Sequence, residues 1–307
     1  MIEYLEQLVE AGKSREALKV AEMLLSRDGT SSRDLLVINS AQVVSHCRLE
    51  EWEEALVAGD VTMKLAKESG EWDIFGIVSI HVAVAYSRLR QYEDAISRIY
   101  EYLSGLPNYT KSETYEALAW YNLGLFLSVL DKHEDAATAL CCALAAAMRA
   151  GNDRYAHGIR QALIEAYLRS GDLLAVVRLL AQSAHYLRRN PRAHMWHDSW
   201  AFHMKLRAEF ALATGRSVRA GAVAVRALEK TIGEPEHECR FHLILAKVAS
   251  GNHRSVDALG HALAARSCAV RSARRDLEAE ATDMVYELSV KFPDAAASVD
   301  SHYLPVP

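Results

Sequence analysis

A period of about forty residues runs through the chain. Taking Ala17, Ala55, Ala95, Ala136, Val176, Ala220 and Val256 as equivalent positions gives spacings of 38, 40, 41, 40, 44 and 36 residues. Around them one phrase recurs: a helical apolar stripe, a short polar turn, then a step that opens a second helix. The step reads Arg15-Glu16-Ala17, Glu53-Glu54-Ala55, Glu93-Asp94-Ala95 and Glu134-Asp135-Ala136, and more loosely Gly171 to Val176, Gly215 to Ala220 and Gly251 to Val256. A helix pair cannot bury its apolar face alone, so a repeat of this length requires stacked neighbours. Length alone, 307 residues, would suggest two separate domains. The period predicts one continuous array instead.

The residue types within the phrase follow from packing. Two helices joined by a short turn approach closely only where side chains are small. Ala83, Gly124 and Ala208 meet that need in first helices, and Ala55, Ala95, Ala136 and Ala220 meet it in second helices. Tyr86, Leu127 and Tyr167 fill the next layer near the ends of first helices, with Ile99 and Leu140 in second helices. Gly12, Asp131, Gly171, Gly215 and Gly251 stand where a helix must end in a left-handed residue. Only six prolines and 15 glycines interrupt the chain, and Pro107, Pro191, Pro235 and Pro293 are expected to close helix pairs.

These residues resemble the tetratricopeptide repeat. Its pattern of an aromatic, a Leu-Gly pair, a turn and an Ala is matched best by Trp120, Leu123, Gly124, Asp131 to Lys132, Ala136 and Leu140, and then by Tyr86, Ala95, Ile99, Tyr102 and Pro107. The family period is 34 residues and this one averages about 40. Repeats of that length are similar to those in regulatory domains of bacterial transcription activators and in quorum-sensing peptide receptors of Gram-positive bacteria. The resemblance implies an all-α fold, a right-handed superhelical α-solenoid of about seven antiparallel helix pairs plus a C-terminal capping helix. The single array covers 1–292, with pairs at about 1–30, 33–70, 73–107, 113–150, 153–190, 194–233 and 236–270 and the cap at 276–292, followed by a tail over 293–307.

Half of the residues are apolar, with 35 Lys and Arg against 40 Asp and Glu, a balance that excludes disorder. The longest apolar run, Ala139 to Met148, is ten residues, and a membrane span needs about 20. No membrane partner is expected. The N-terminus shows no secretory signal. Five cysteines without a CxxC pair suit reduced thiols and a cytoplasmic location. GxGxxG, GxxxxGK[ST], GxSxG and HExxH are all missing, so the common dinucleotide, NTP, hydrolase and zincin chemistries are excluded and no enzyme is expected. No cofactor is called for.

Charge divides along the chain. Residues 1–187 carry −8, 188–275 carry +9 and 276–307 carry −6. Such asymmetry marks either a face for an acidic partner or complementarity between neighbouring helices. Within the basic segment, Arg271, Arg274 and Arg275 lie close on one turn and are candidate anion contacts; pairing with Asp276, Glu278 and Glu280 is the competing use. Two histidine clusters could approach a metal, His194 with His197 and Asp198, and His237 with Cys239 and His242. The spacing of Trp196, Trp200 and His203 favours plain packing for the first, so no metal is assigned.

First helices line the concave wall of such a solenoid. The groove places carried over from the family are Ser40, Tyr121, Gln161, Glu165, Lys205 and Glu209, with Asn39, His81 and Asn122 beside them. Asn and Gln can bond both backbone groups of an extended peptide. The expected function is therefore a non-enzymatic, regulatory module that binds a protein or peptide. A nucleic-acid binder using 188–275 is the alternative, and a metal-dependent enzyme at the His194 region is a third, weaker one. Monomer and homodimer both stay open.

Overall fold

The computed structural model describes residues 1–26, 29–105, 112–191 and 196–298, apart from the side chains of Ser112 and Trp196. Among these the chain is all α, with sixteen helices and no strand. In chain order the first fourteen follow one another two by two: α1 (Ile2–Glu10) and α2 (Ser14–Leu25), α3 (Ser32–Leu49) and α4 (Trp52–Ser69), α5 (Trp72–Arg88) and α6 (Tyr92–Ser104), α7 (Ser112–Val129) and α8 (His133–Arg149), α9 (Asp153–Ser170) and α10 (Leu173–Arg189), α11 (Trp196–Ala213) and α12 (Ser217–Lys230), α13 (Pro235–Gly251) and α14 (Ser255–Ser272). A capping helix α15 (Arg275–Lys291) follows, then α16 (Pro293–Ala297). The chain divides into two compact units, Met1–Ala166 and Tyr167–Pro307. None of the helices is long and apolar enough to cross a membrane.

The turns show why the phrase repeats. After α3, Glu50 takes φ 62° and the Glu51 N–H donates back to the His46 carbonyl at 3.0 Å. After α7, Asp131 takes φ 57° and Lys132 donates to Leu127 at 2.9 Å; after α11, Gly215 takes φ 72° and Arg216 donates to Ala211 at 2.8 Å. One left-handed residue thus satisfies the last carbonyls of the first helix and aims the chain into the second. Five residues later comes the small crossing residue. Ala17, Ala55, Ala95, Ala136 and Ala220 are fully or almost fully buried.

The seventh pair corrects the expected register. Gly251 is the last residue of α13, and the left-handed turn falls at His253, φ 57°, with Arg254 donating to Ala249 at 2.9 Å. The equivalent crossing residue is therefore Ala258, fully buried, while Val256 is 64% exposed. Burial of the α13 stripe through Val248 and Ala249 sets where the helix stops, and this outweighs the backbone freedom of Gly251. Gly251→Ala is expected to stabilise the protein by about 0.5–1 kcal/mol, because an added Cβ meets nothing within 4 Å. His253→Gly is expected to stabilise by about 1 kcal/mol by removing the left-handed strain of an L-residue. Urea midpoints of the two variants check this, and a loss of stability in Gly251→Ala would restore the original register.

Two prolines also act differently from expectation. Pro235 and Pro293 open α13 and α16 at the first helical turn, where the missing N–H has no partner to lose. Pro191 follows the end of α10, and Pro107 lies outside the described residues. Instead of a plain tail after Phe292, α16 docks Ala295 and Ala296 into buried positions.

Within each unit the core is built by interleaving. In the first, Leu36 and Val43 of α3, Met63 and Ala66 of α4, and Phe75, Val78 and Val82 of α5 form one cluster. In the second, Ala201, Met204 and Ala208 of α11 meet Ala220 and Ala224 of α12 and Phe241, Ile244 and Val248 of α13. All five cysteines are thiols, with Cys239 and Cys268 buried. Burial pushes Cys47 up to about 11 and Cys239, with smaller help from neighbouring charges, up to about 12, so both remain protonated and inert at neutral pH.

Candidate functional site

In the first unit, α3 packs on α5 and α5 on α7. Asn39 opens on a crevice between α3 and α4, lined by Gln42, His46, Glu53, Glu54 and Val57, and Ser40 is half-buried beside it. His81 sits against the end of α3, where the Cys47 thiol donates to its carbonyl at 3.7 Å. Burial, then the Arg48 guanidinium, pushes the His81 imidazole down to about 4, so it is neutral at physiological pH. The Tyr121 ring meets Tyr155 edge-on, centroids 5.7 Å apart and planes at 66°. Burial, then the Glu165 carboxylate, raises the Tyr121 phenol, which places Tyr121 and Glu165 near one another. Asn122 and Gln161 are 8% and 7% exposed. Most of their surface is already taken up within the protein, and little remains for a ligand.

In the second unit, Lys205 and Glu209 are one turn apart on α11 and pair at 3.5 Å. The Lys205 ammonium lies 4.9 Å from the Phe202 ring centre, and the Arg240 guanidinium of α13 approaches the same ring at 5.6 Å. Of the anion-contact candidates, Arg271 donates to Glu238 at 2.8 Å, and Arg274 bridges Glu236 at 2.9 Å and Asp276 at 2.7 Å. Arg275 is exposed at the start of α15. Two of the three guanidiniums are thus held by carboxylates, mostly from α13, and the three do not converge on one anion.

A different set of arginines does converge. Arg188 of α10, Arg207 of α11, and Arg216 and Arg219 beside and within α12 line a cavity of about 340 Å³. Val177, Leu180, Ala181, Ala184, Phe210 and Val223 form its apolar surface, and among the described residues no Asp or Glu lines it. His203 in its wall is 4% exposed and bonded to Ser183 of α10 at 2.9 Å, which joins two of the three helices. No ion pair within 4.0 Å involves any of these four guanidiniums among the described residues. Arg207 lies two residues from both Lys205 and Glu209, about 200° around α11, so the cavity and the Lys205–Glu209 pair occupy different faces. Residue-by-residue reading missed these four. The available signal was the +9 segment together with Arg207, Phe210 and Thr214 at helical spacing.

The histidine clusters recombine. His194 lies outside the described residues. His197 and Asp198 of α11 meet Glu234 and His237 at the start of α13, while Cys239 is buried and His242 pairs with His261 of α14 at 3.2 Å.

No protein-family model matches the chain, and no curated protein matches it. Solved structures do. A tetratricopeptide repeat protein from Parabacteroides merdae aligns with a TM-score of 0.61 and 16% identity over 93% of this chain and 97% of its own. The apo form of the quorum sensor NprR from B. thuringiensis gives 0.61 at 13% identity, over 94% of this chain and 86% of its own. A chain of the APC/C hetero-tetramer Cut9–Hcn1 gives 0.61 at 15% identity over 92% of this chain, which spans about half of that longer chain, 48%. At these identities the likeness concerns the fold, a tetratricopeptide-type helical repeat.

Proposed function

From a tetratricopeptide-type array without a recognisable catalytic motif, we propose a non-enzymatic binding module that captures an acidic segment of a peptide or protein and serves a regulatory role. The observation that carries this is the cavity of Arg188, Arg207, Arg216 and Arg219. Four cations without a carboxylate among them repel one another, and the missing countercharge is best supplied by a ligand. Arginine suits carboxylate through its two-pronged donor geometry, and the apolar lining offers purchase for a neighbouring hydrophobic side chain. Similar folds in a quorum sensor and in a hetero-tetrameric assembly support a recognition role. The partly exposed Tyr121, Glu165, Lys205 and Glu209 on first helices are further contact candidates, secondary to the cavity because each is engaged internally.

The nucleic-acid reading fits the charge less well. Four other arginines of the basic segment are tied to acids, Arg240 to Glu236, Arg254 to Asp257, Arg271 to Glu238 and Arg274 to Asp276. What stays unpaired around the cavity is a compact concavity rather than a stripe that could follow a phosphate backbone. Selection from a random peptide library is expected to enrich sequences with Asp or Glu next to an apolar residue. The double charge reversal Arg207→Glu and Arg219→Glu should weaken the selected peptides at least about a hundredfold, at roughly 1.4 kcal/mol per factor of ten. Enrichment of basic or neutral peptides, or DNA binding with a steep salt dependence, would defeat the proposal.

A further inference from the structure

We propose that His197, Asp198, Glu234 and His237 form a divalent-cation site. Two helix starts supply the donors. The first turn of α11 presents His197 and Asp198 side by side, and the segment entering α13 presents Glu234 and then His237. His237 Nε2 lies 3.2 Å from Asp198 Oδ1 and 3.7 Å from Glu234 Oε2. His197 Nε2 lies 2.9 Å from Glu234 Oε1. The donor atoms of Asp198, Glu234 and His237 all fall within 4.8 Å of one another. Around a tetrahedral zinc ion with bonds of about 2.1 Å, donors stand roughly 3.4 Å apart, so Asp198, Glu234 and His237 fit three of the positions and His197, 2.9 Å from Glu234, supplies the fourth after its ring reorients.

Beside the His237–Asp198 hydrogen bond, three further features point to a cation. His197 Nε2 is shielded from solvent and makes no hydrogen bond, because its approach to Glu234 lacks the required geometry. The His237 side chain is 10% exposed and so held in place, and the His197 ring lies 5.9 Å from that of Trp200 at a 36° tilt. Two carboxylates among the four donors supply anionic oxygen that a divalent ion can neutralise. Two nitrogens and two oxygens favour zinc, cobalt or nickel over calcium or magnesium, which prefer oxygen alone. An ion here would tie the start of α11 to the start of α13, close to the Trp200 edge of the core cluster that joins these helices.

The test uses the full chain stripped with EDTA, titrated with zinc chloride by calorimetry and with cobalt chloride by visible absorption. One equivalent of each is expected to bind, cobalt with the intense bands of a tetrahedral complex, and excess calcium should not compete. His237→Ala and Asp198→Asn should each weaken zinc at least about a hundredfold, above the range for residues that only support a ligand. Circular dichroism identifies a variant that has unfolded, and Asp198→Asn keeps the shape if His237→Ala fails. The double variant His242→Ala and His261→Ala should bind as the parent does. The proposal is overturned if no saturable binding occurs, if His237→Ala and Asp198→Asn bind normally, or if the loss follows His242 and His261 instead.

Discussion

Lowering the pH from 7 to 4 is expected to remove much of the stability of the first unit, chiefly through two histidines. His81 is pushed down to about 4 by burial and then by Arg48, and His157 to about 4 by burial and then by Arg160. Both are neutral in the folded protein at pH 7, whereas in the unfolded chain each takes up a proton near 6.5. The unfolded state therefore binds more protons as the pH falls between 6.5 and about 4. Stability is fully present above 6.5, declines through that window, and levels off below it. The drop from 6.5 to about 4 corresponds to roughly 3 kcal/mol for each imidazole, a large share of the 5–15 kcal/mol typical of a folded domain. Urea midpoints at half-unit steps from pH 7 to 4 check this. His157→Gln, at a site 2% exposed, should lower stability at pH 7 yet flatten the slope by about half. An unchanged slope in both His157→Gln and His81→Gln would remove histidine as the cause.

The second large effect is expected at the crossing of α7 and α8. An added Cβ at Gly124 would stand 2.6 Å from Leu140 Cγ, 2.9 Å from its Cδ2 and 3.2 Å from the Ala136 carbonyl. Leu140 is 1% exposed and has no open space to enter, and the carbonyl belongs to the helix itself. Gly124→Ala is therefore expected to cost about 1–3 kcal/mol by overpacking, despite the better helix propensity of alanine. Gly158→Ala in α9, where the Cβ meets nothing within 4 Å, should instead gain up to about 1 kcal/mol. Leu140→Ala alone should cost about 2–5 kcal/mol through its cavity. Combined with Gly124→Ala it should cost less than the two separately, because the new methyl group enters the space Leu140 vacates. Additive losses would show that the two residues do not share the crossing.

The crossing residues were legible because their requirement is local and repeats. Ala55, Ala95 and Ala136 are small, follow a turn at a constant offset and recur every forty residues, so their burial could be inferred without knowing what they touch. Val256 is not an equivalent because the apolar stripe of α13 carries the helix through Gly251 and moves the turn to His253. Pro235 and Pro293 were misplaced for a related reason: a proline marks a helix boundary but does not say on which side the helix lies.

The charged residues were not legible in this way. Arg271 and Arg274 looked available, and their partners Glu236 and Glu238 stand 33 to 38 residues away on α13. Arg188, Arg207, Arg216 and Arg219 looked scattered and converge from three helices. His197 and Asp198 find their companions nearly forty residues on, one full repeat later.

From sequence alone the repeat, its small-residue crossings, four of the five turn residues it named and its all-α character could be determined. The reason is that helix periodicity, capping and close approach depend on neighbours within a few residues. Only the tertiary structure decided which cations are neutralised, which converge unpaired and which imidazoles meet carboxylates. Those outcomes depend on the stagger and rotation of stacked helices, through which residues one repeat apart become neighbours.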